Sequence, residues 1–254
     1  MFKKITVLIV VLLSLTLTWY IRQYNSKHTS AQIGKTLIVG TSADYYPFAF
    51  IKDDEYAGFD LDIIKKIGNI INKDIIIKNM PFNTLLIELR LGHIDMIAAG
   101  MTPSPARARK ILYTNPYLTN DPLIAVSMPE NLISSDPNKL LDKKVVVNLG
   151  YTADNYLTQQ LKMEPLRLDT IGDLFLALQN RHAKVVIGAK STLTPYLKKH
   201  IDKQYNVVQL DAPSETYAFA VSLTDKKLAT RINQALQTMQ ENGILKVIKN
   251  KWGF

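Results

Sequence analysis

The stretch Thr36-Leu37-Ile38-Val39-Gly40 is apolar through its centre and predicts a buried β-strand at the start of the fold. Residues 59–71 carry isoleucines at helical spacing and predict an amphipathic helix. An Ile-rich strand at 74–78, a helix at 82–91 and a third strand at 94–99 continue the alternation. This order is typical of an α/β protein with a mainly parallel sheet.

The alternation repeats in the second half of the chain and predicts a second sheet of similar size. Its elements are expected at 144–148, from 150 onward, and at 171–179, 184–187, 207–210, 217–223 and 228–239. Segments 116–122 and 211–216 are the predicted linkers between the two units. Ligands of open α/β sheets bind beyond the carboxyl ends of the strands, so we expect a site in the cleft between the units.

The composition excludes several classes of function. The chain has 254 residues, 47% of them apolar, which is enough for two domains with real cores. Its net charge of +9 is not concentrated in a basic block with interleaved aromatic residues, so we predict no nucleic-acid partner. The absence of cysteine excludes disulfides, zinc thiolates and a cysteine nucleophile, and the four histidines are scattered. We therefore predict no metal and no cofactor.

The first 31 residues have the pattern of an export signal. Phe2-Lys3-Lys4 is a short basic start, and residues 5–17 are almost wholly apolar. The apolar run extends to Ile21, at the lower limit for a membrane span, so an uncleaved anchor is the alternative. Either interpretation places residues 32–254 outside the cytoplasm, and the predicted location is the periplasm.

Several motifs lie in order along residues 36–254. They are residues 39–50, Gly58-Phe59-Asp60-Leu61-Asp62, the loop 99–107, Tyr113-Thr114-Asn115-Pro116-Tyr117, Asn242-Gly243 and Lys251-Trp252-Gly253. Together they resemble the polar amino-acid-binding proteins of ABC importers (solute-binding protein family 3). One such motif would be a weak signal, whereas the ordered set is specific.

The resemblance implies an α/β, periplasmic-binding-protein-like fold of two Rossmann-like lobes joined by a two-stranded hinge. The predicted boundaries are 1–31 for the signal or anchor, 32–117 for the first lobe, 118–217 for the second lobe and 218–254 for a return to the first. The implied function is capture of a free amino acid, basic or polar such as arginine, for a membrane permease. Closure of the two lobes would retain the ligand, and the protein is expected to be a monomer.

The loop 99–107 is expected to hold the ligand carboxylate. A guanidinium pairs with a carboxylate through two parallel hydrogen bonds, and the resemblance gives Arg107 that role. The preceding Gly100, Met101 and Thr102 would offer backbone groups and a hydroxyl to the same ligand head. The alternative for Arg107 is a solvated cationic run that continues into Arg109.

Other predicted contacts surround that loop. The resemblance places the rings of Tyr45 and Phe82 on either side of the ligand side chain, with a purely structural role in the core as the alternative. The segment Gly150-Tyr151-Thr152 resembles the family's Gly-Ser/Thr-Thr loop, with Tyr151 where the family carries serine or threonine. Thr152 would contribute from the second lobe at a helix start, where free N–H groups hold an anion such as the ligand carboxylate. Asp60 and Asp62 are expected to do no more than stabilise the start of their helix.

The sequence departs from the family pattern at Gly188. The family usually carries an aspartate there that binds the ligand ammonium. Asp44, Glu215 or a backbone carbonyl near Gly188 are the expected substitutes. Without one, either the ligand would lack an α-amino group or binding would be weak. Ser42 also replaces an acid that many relatives carry.

We predict that the chain is not an enzyme, and two rival functions stay open. A cyclohexadienyl dehydratase on the same fold would need a placed acid or base, for which Asp44, Glu88 and Glu215 are candidates. An anchored sensor or adhesin would need the uncleaved N-terminal segment. Sequence alone does not name the ligand.

Overall fold

The protein is described by a computed structural model over residues 35–254 together with Thr16, so the predicted signal at 1–31 otherwise lies outside the described residues. The strands are β1 Thr36–Thr41, β2 Asp44–Tyr45, β3 Ala49–Lys52, β4 Glu55–Ala57, β5 Asp74–Asn79, β6 Met96–Ile97, β7 Ile111–Tyr113, β8 Leu118–Asp121, β9 Leu123–Ser127, β10 Val145–Asn148, β11 Leu166–Leu168, β12 Val185–Ala189, β13 Asn206–Gln209, β14 Glu215–Tyr217 and β15 Ala220–Ser222.

Helices connect these strands. The α-helices are α1 Phe59–Ile70, α2 Leu85–Leu91, α3 Pro105–Ala108, α4 Thr152–Asn155, α5 Ile171–Gln179, α6 Lys190–Lys199, α7 Lys226–Glu241 and α8 Ile244–Trp252. Two short 3-10 turns lie at Phe82–Thr84 and Pro137–Leu140, and a π-helical turn at Tyr156–Gln160. None of the helices in the described part of the chain is long and apolar enough to cross a membrane.

The first lobe is built on a sheet with strand order β5-β1-β6-β15-β7. Strand β1 runs parallel to β5 and β6, whereas β15 runs antiparallel to β6 and β7. Helix α1 presents Ile63, Ile64 and Ile67 to this sheet, and all three are fully buried. Burial of an isoleucine side chain contributes roughly 1.5–3 kcal/mol, so this face explains why the helix forms here.

The second lobe has a sheet of its own with strand order β11-β10-β12-β9-β13. Strand β10 is parallel to β11 and β12, and β9 is antiparallel to β12 and β13. Apolar clusters cover the sheet, one of them centred on Leu174, Phe175 and Leu178 of α5. All strands of this sheet come from one continuous segment, 123–209, unlike those of the first lobe.

Strands β8 and β14 form a separate antiparallel pair between the two sheets. They occupy the predicted linkers 116–122 and 211–216, so the expected two-stranded hinge is confirmed. The residue limits of the lobes themselves stay a prediction.

Most predicted elements of the two sheets are confirmed, and Gly92 ends α2 in the left-handed conformation as expected. The strand predicted at 94–99 is shorter and spans Met96–Ile97. Just before it, the Asp95 side chain accepts a hydrogen bond from the Ile38 backbone N–H at 2.8 Å. The strand predicted at 217–223 is interrupted: the Ala218 N–H donates to the Met101 carbonyl instead. The sequence patterns did not predict strands β7, β9 and β11, the hairpin β2–β3–β4, or helices α3, α6 and α8.

Candidate functional site

Arg107 lies in the short helix α3, whose start is fixed by Ser104. The Ser104 Oγ accepts a hydrogen bond from the Arg107 backbone N–H, and Pro105 occupies the first helical position. The Arg107 guanidinium donates from Nη1 to the Thr102 carbonyl at 3.0 Å and from Nη2 to the Gly150 carbonyl. Arg107 therefore joins the first lobe to the second and is not part of a solvated run, unlike the exposed Arg109.

Glu215 is almost completely buried in hinge strand β14. Its Oε2 accepts a hydrogen bond from the Thr102 hydroxyl at 2.7 Å, and the Thr152 side chain is a second hydrogen-bonding partner. Burial raises the pKa of Glu215 to about 7, with a smaller contribution from the charge of Asp121. The hydrogen bonds and the Arg107 cation lower the pKa and partly offset that rise.

Thr102 connects these two charged groups. Its backbone carbonyl accepts from Arg107 and its hydroxyl donates to Glu215. The Arg107 guanidinium and the Glu215 carboxyl group thus lie on either side of Thr102, between the lobes. This is the part of the predicted site that the structure brings together most clearly.

Three aromatic rings are stacked next to this pair. The ring centroid of Tyr151 lies 4.3 Å from that of Tyr45 and 3.9 Å from that of Phe82, with interplanar angles of 28° and 20°. The Arg107 guanidinium carbon lies 5.3 Å from the centroid of Phe82. Tyr45 and Phe82 therefore lie on opposite faces of the Tyr151 ring, which comes from the second lobe and was not predicted as a site residue. Their contact with a ligand side chain stays a prediction.

Gly100 supports the ring wall from the first lobe. Its φ of +56° lies in the left-handed region, and a Cβ there would come within 2.9–3.0 Å of the Tyr45 and Phe48 rings. The Gly100 N–H donates to the carboxylate of Asp60 at 2.8 Å. Met101, also buried, contributes its backbone carbonyl to the Ala218 N–H.

Asp60 and Asp62 lie in the first turn of α1 as predicted, but neither side chain caps the helix, and both make further hydrogen bonds. Asp60 is fully buried and accepts hydrogen bonds from Gly100 N–H and from the Tyr117 hydroxyl, the latter at 2.7 Å. Burial raises the pKa of Asp60 to about 7. Asp62 accepts hydrogen bonds from Lys251 Nζ at 2.6 Å and Trp252 Nε1 at 2.8 Å, so it fastens α8 to α1.

Asp44 lies at the edge of the cleft. It is exposed, and its Oδ1 accepts a hydrogen bond from the Ser42 hydroxyl at 2.7 Å. A cavity of about 500 Å³ opens beside it, with Asn79 and Phe82 from the first lobe and Tyr151 and Asp169 from the second in its lining. Asp44 thus belongs to the ring side of the cleft and not to the Arg107–Glu215 pair.

Gly188 is not brought into the same group. It lies on β12, opposite Ile124 of β9, and the three atoms nearest to a Cβ built there all belong to Leu193 of α6. The side chain of an acid at this position would therefore leave the strand on the face that packs against Leu193. The expectation that Gly188 marks a ligand contact stays a prediction.

Asp121 is a buried acid of the hinge that sequence reasoning missed. Its carboxylate accepts hydrogen bonds from the Ser191 N–H at 3.1 Å, the Ser191 hydroxyl at 2.5 Å and the Tyr217 hydroxyl at 2.6 Å. These bonds hold helix α6 against β8 and β14. The sequence carried no signal for this role, because the two partner residues, Ser191 and Tyr217, are 70 and 96 positions away from Asp121.

The described residues contain no cluster of histidine, aspartate and glutamate suited to a metal ion.

Comparison with known protein families identifies the architecture. The family model of bacterial extracellular solute-binding proteins, family 3, matches residues 37–254. The chain belongs to this family. The first subsection's resemblance is thereby confirmed, and so is the periplasmic-binding-protein-like fold of two lobes. Membership also places the protein among extracytoplasmic proteins.

Relatives of this family 3 member include proteins that are named as arginine-binding proteins. It is 29% identical, over 249 residues and 96% of each chain, to the arginine-binding extracellular protein ArtP of Bacillus subtilis. It is 28% identical over 88% of its length, and 93% of that protein's, to a putative ABC transporter arginine-binding protein 2 of Escherichia coli.

Solved structures of amino-acid-binding proteins have a similar fold. An ancestral arginine-binding protein bound to arginine is 28% identical with a TM-score of 0.80, and the match covers 85% of this chain and 97% of that one. An ancestral amino acid-binding protein described as a precursor of cyclohexadienyl dehydratase is 25% identical with a TM-score of 0.76, over 88% and 98% of the two chains.

Proposed function

We propose that this protein captures a free amino acid, basic or polar such as arginine, and delivers it to the permease of an ABC importer. The observation that carries the proposal is the arrangement of Arg107 and Glu215 on either side of Thr102. An amino acid carries a carboxylate and an ammonium on one carbon. A guanidinium and a carboxylate separated by a single residue match those two charges.

Arg107 binds the ligand carboxylate in this proposal. A guanidinium has five N–H donors, and the Thr102 and Gly150 carbonyls accept from two of its nitrogens. A carboxylate is a stronger acceptor for this cation than a neutral carbonyl, since charge-assisted hydrogen bonds are roughly twice as strong. A ligand can therefore compete for the fork.

Glu215 binds the ligand ammonium and replaces the aspartate that is absent at Gly188. Its carboxyl group is buried and already orients two threonine hydroxyls, Thr102 and Thr152, one from each lobe. An ammonium next to the buried group would favour its ionised form. The raised pKa of the unliganded group thus implies that binding releases a proton near neutral pH.

Closure follows from the position of these contacts. Arg107 reaches Gly150 of the second lobe, and Glu215 lies on the hinge between the sheets. A ligand held by both gains its full set of contacts only when the lobes meet, so it stabilises the closed state.

The relatives and the ring side of the cleft support a basic ligand. Two of the relatives above are named for arginine, and aromatic faces attract a cationic side chain. Asp44 and Asp169 line the adjacent cavity and would place negative charge near the end of such a side chain.

A thermal-shift screen against the twenty amino acids tests the proposal, followed by calorimetry on those that raise the melting temperature. Bound ligand raises apparent stability by mass action, so a basic amino acid at 100 times its Kd should add about 2.7 kcal/mol. A flat response to all twenty would contradict amino-acid capture.

A dehydratase is the second candidate, favoured by one observation. A buried carboxyl group with a pKa of about 7 has the property of a general acid, and Glu215 is such a group in the cleft. We favour binding without chemistry because the named relatives of similar sequence are transport proteins. Incubation with prephenate or arogenate, with detection of aromatic product, separates the two candidates.

The proposal extends to partners and location. The chain would act as a monomer in the periplasm and present its closed form to the permease. N-terminal sequencing of the exported protein distinguishes a cleaved signal from an anchor: a cleaved protein should start near residue 32.

A further inference from the structure

The slot between Tyr45 and Phe82 holds a side chain of the protein itself. Tyr151 is 6% exposed, and its ring is stacked on both walls at centroid distances of 4.3 Å and 3.9 Å. These are the spacings of directly stacked rings. The slot is therefore one ring thick, and a second planar group cannot enter while Tyr151 occupies it.

The backbone around Tyr151 directs this ring across the cleft. Gly150 adopts a φ of +77° at the turn after β10, and its carbonyl accepts hydrogen bonds from Arg107 and from Asn155 Nδ2. The Tyr151 carbonyl accepts from the Asn155 N–H at 3.0 Å and from Asn155 Nδ2 at 3.0 Å. The ring thus projects from a firmly bonded turn of the second lobe.

Its packing partners belong to the first lobe. Tyr151 is part of the apolar cluster that contains Tyr45, Phe48 and Phe59, which is built on the first sheet. The resemblance expects serine or threonine at this position, and neither side chain could reach across the cleft to stack. A residue of one lobe therefore makes the contact that a ligand side chain is expected to make.

We propose that Tyr151 is a specificity-determining residue that competes with the ligand side chain for the space between Tyr45 and Phe82. The inference rests on the proposed amino-acid binding. Arginine must displace the ring before its side chain can stack. Alanine uses only the Arg107–Glu215 pair and leaves the ring in place.

The structure offers room for the displaced ring. The cavity of about 500 Å³ beside the slot already has Tyr151 in its lining, together with Asp44 and Asn79 of the first lobe and Leu149 and Asp169 of the second. Rotation of the side chain towards this cavity frees the slot without unfolding the turn. The affinity for a long side chain is reduced by the fraction of molecules in which the ring has left.

Calorimetry on Tyr151→Ser tests this selectivity. The protein is recovered from the export compartment of cells that express the full chain, and arginine and alanine are titrated separately. The variant should bind arginine at least tenfold more tightly than the unchanged protein, while the affinity for alanine stays the same or falls, because alanine gains no space and loses the contact between the lobes. Tyr56→Ser, which removes a 38% exposed ring from β4, is the matched control and should change neither affinity.

Two results would overturn the inference while leaving amino-acid binding intact. One is an equal change in the affinities for arginine and alanine in Tyr151→Ser. The other is an arginine affinity that does not increase in that variant. Tyr151→Phe keeps the ring, so its affinity for arginine should increase less than threefold. A tenfold gain in that variant would assign the effect to the hydroxyl and refute competition by the ring.

If none of these proteins binds any amino acid, the proposed function fails and the competition that rests on it fails as well. A ligand-free measurement then tests separately whether the Tyr151 ring holds the two lobes together. The chain has no cysteine, so spin labels at Ile87→Cys and Leu176→Cys, on exposed positions of α2 and α5, report the separation of the lobes without background. Tyr151→Ser should shift the distance distribution to longer values, because the ring no longer joins the lobes. Identical distributions would refute the ring's role.

Discussion

The two faces of the cleft follow the family pattern to different degrees. The first-lobe face carries Tyr45, Phe82 and Arg107, each where the resemblance expects it. The second-lobe face departs at both positions that matter: Tyr151 is large where a small hydroxyl residue is expected, and Gly188 has no side chain where an acid is expected. Under the proposed function, the carboxylate partner Arg107 lies on the face that follows the family pattern, and both departures lie on the face that closes over the ligand.

The departures are coupled through the hinge. Glu215 lies between the faces and contacts Thr102 from one and Thr152 from the other. An acid on the hinge can serve as the ammonium partner without any side chain at Gly188. The second lobe is then free to use its cleft-facing loop for the Tyr151 ring.

The largest expected effect is on the first-lobe face. Arg107→Ala should weaken amino-acid binding more than 100-fold by calorimetry, about 3 kcal/mol, because the charge-assisted bonds to the carboxylate are lost. The melting temperature of the ligand-free protein should fall by only a few degrees, since two hydrogen bonds to backbone carbonyls are removed. Arg109→Ala, an exposed neighbour, is the control, and an affinity unchanged by Arg107→Ala would remove the proposed site.

Glu215→Gln sharpens the comparison at the hinge. Affinity at pH 8 should fall roughly 10–100-fold because the ammonium loses its charged partner. The free carboxyl group has a pKa of about 7 and must ionise to pair, so affinity in the unchanged protein should rise as pH increases from 6 to 8. The variant should lack that rise.

Glu130→Gln controls for the loss of a charge. Its side chain is 53% exposed and pairs with Arg181 at 3.9 Å, far from the hinge hydrogen bonds. The pH dependence should be unaltered in that protein. A rise with pH that persists in Glu215→Gln would assign the proton to another group and contradict the role of the hinge acid.

The smallest expected effect compares one glycine from each face. Gly150 and Gly100 both have positive φ, so alanine costs about 1 kcal/mol at either position from backbone conformation. At Gly100 the new Cβ also meets the rings of Tyr45 and Phe48, which adds roughly 1–3 kcal/mol of overpacking, whereas nothing lies within 4 Å at Gly150. Urea unfolding of both variants measures the difference. Equal losses of unfolding free energy would show that the ring wall adapts freely.

Sequence reasoning predicted the sheets and the first-lobe face because local patterns encode them. Apolar spacing indicated β1 and α1, and the ordered motifs placed Arg107 beside Thr102. Helix α6 escaped prediction because Pro195 lies inside it and few of its side chains are apolar. Helix α8 follows Gly243, which was taken as the end of the preceding helix.

The rest of the site depends on contacts between residues distant in the chain. No residue near Asp60 in the sequence indicates that its carboxylate accepts hydrogen bonds from Gly100 and Tyr117, which are 40 and 57 positions away. Tyr151 had one usable signal: a large ring stands at a position where the resemblance expects serine or threonine. That signal indicates a departure, but only the fold shows which space the ring enters.

The return of the chain to the first sheet has a consequence for export. Strand β15 lies between β6 and β7, and the ring of Phe254 packs 4.5 Å from that of Phe59 in α1. The second sheet can assemble from 123–209 alone, whereas the first needs residues 220–254. If the chain crosses a membrane amino end first, the first sheet, which carries the proposed carboxylate partner Arg107, would be completed only after residues 220–254 have passed. Under the proposed function, amino acids of the cytosol would therefore find no complete binding site during export.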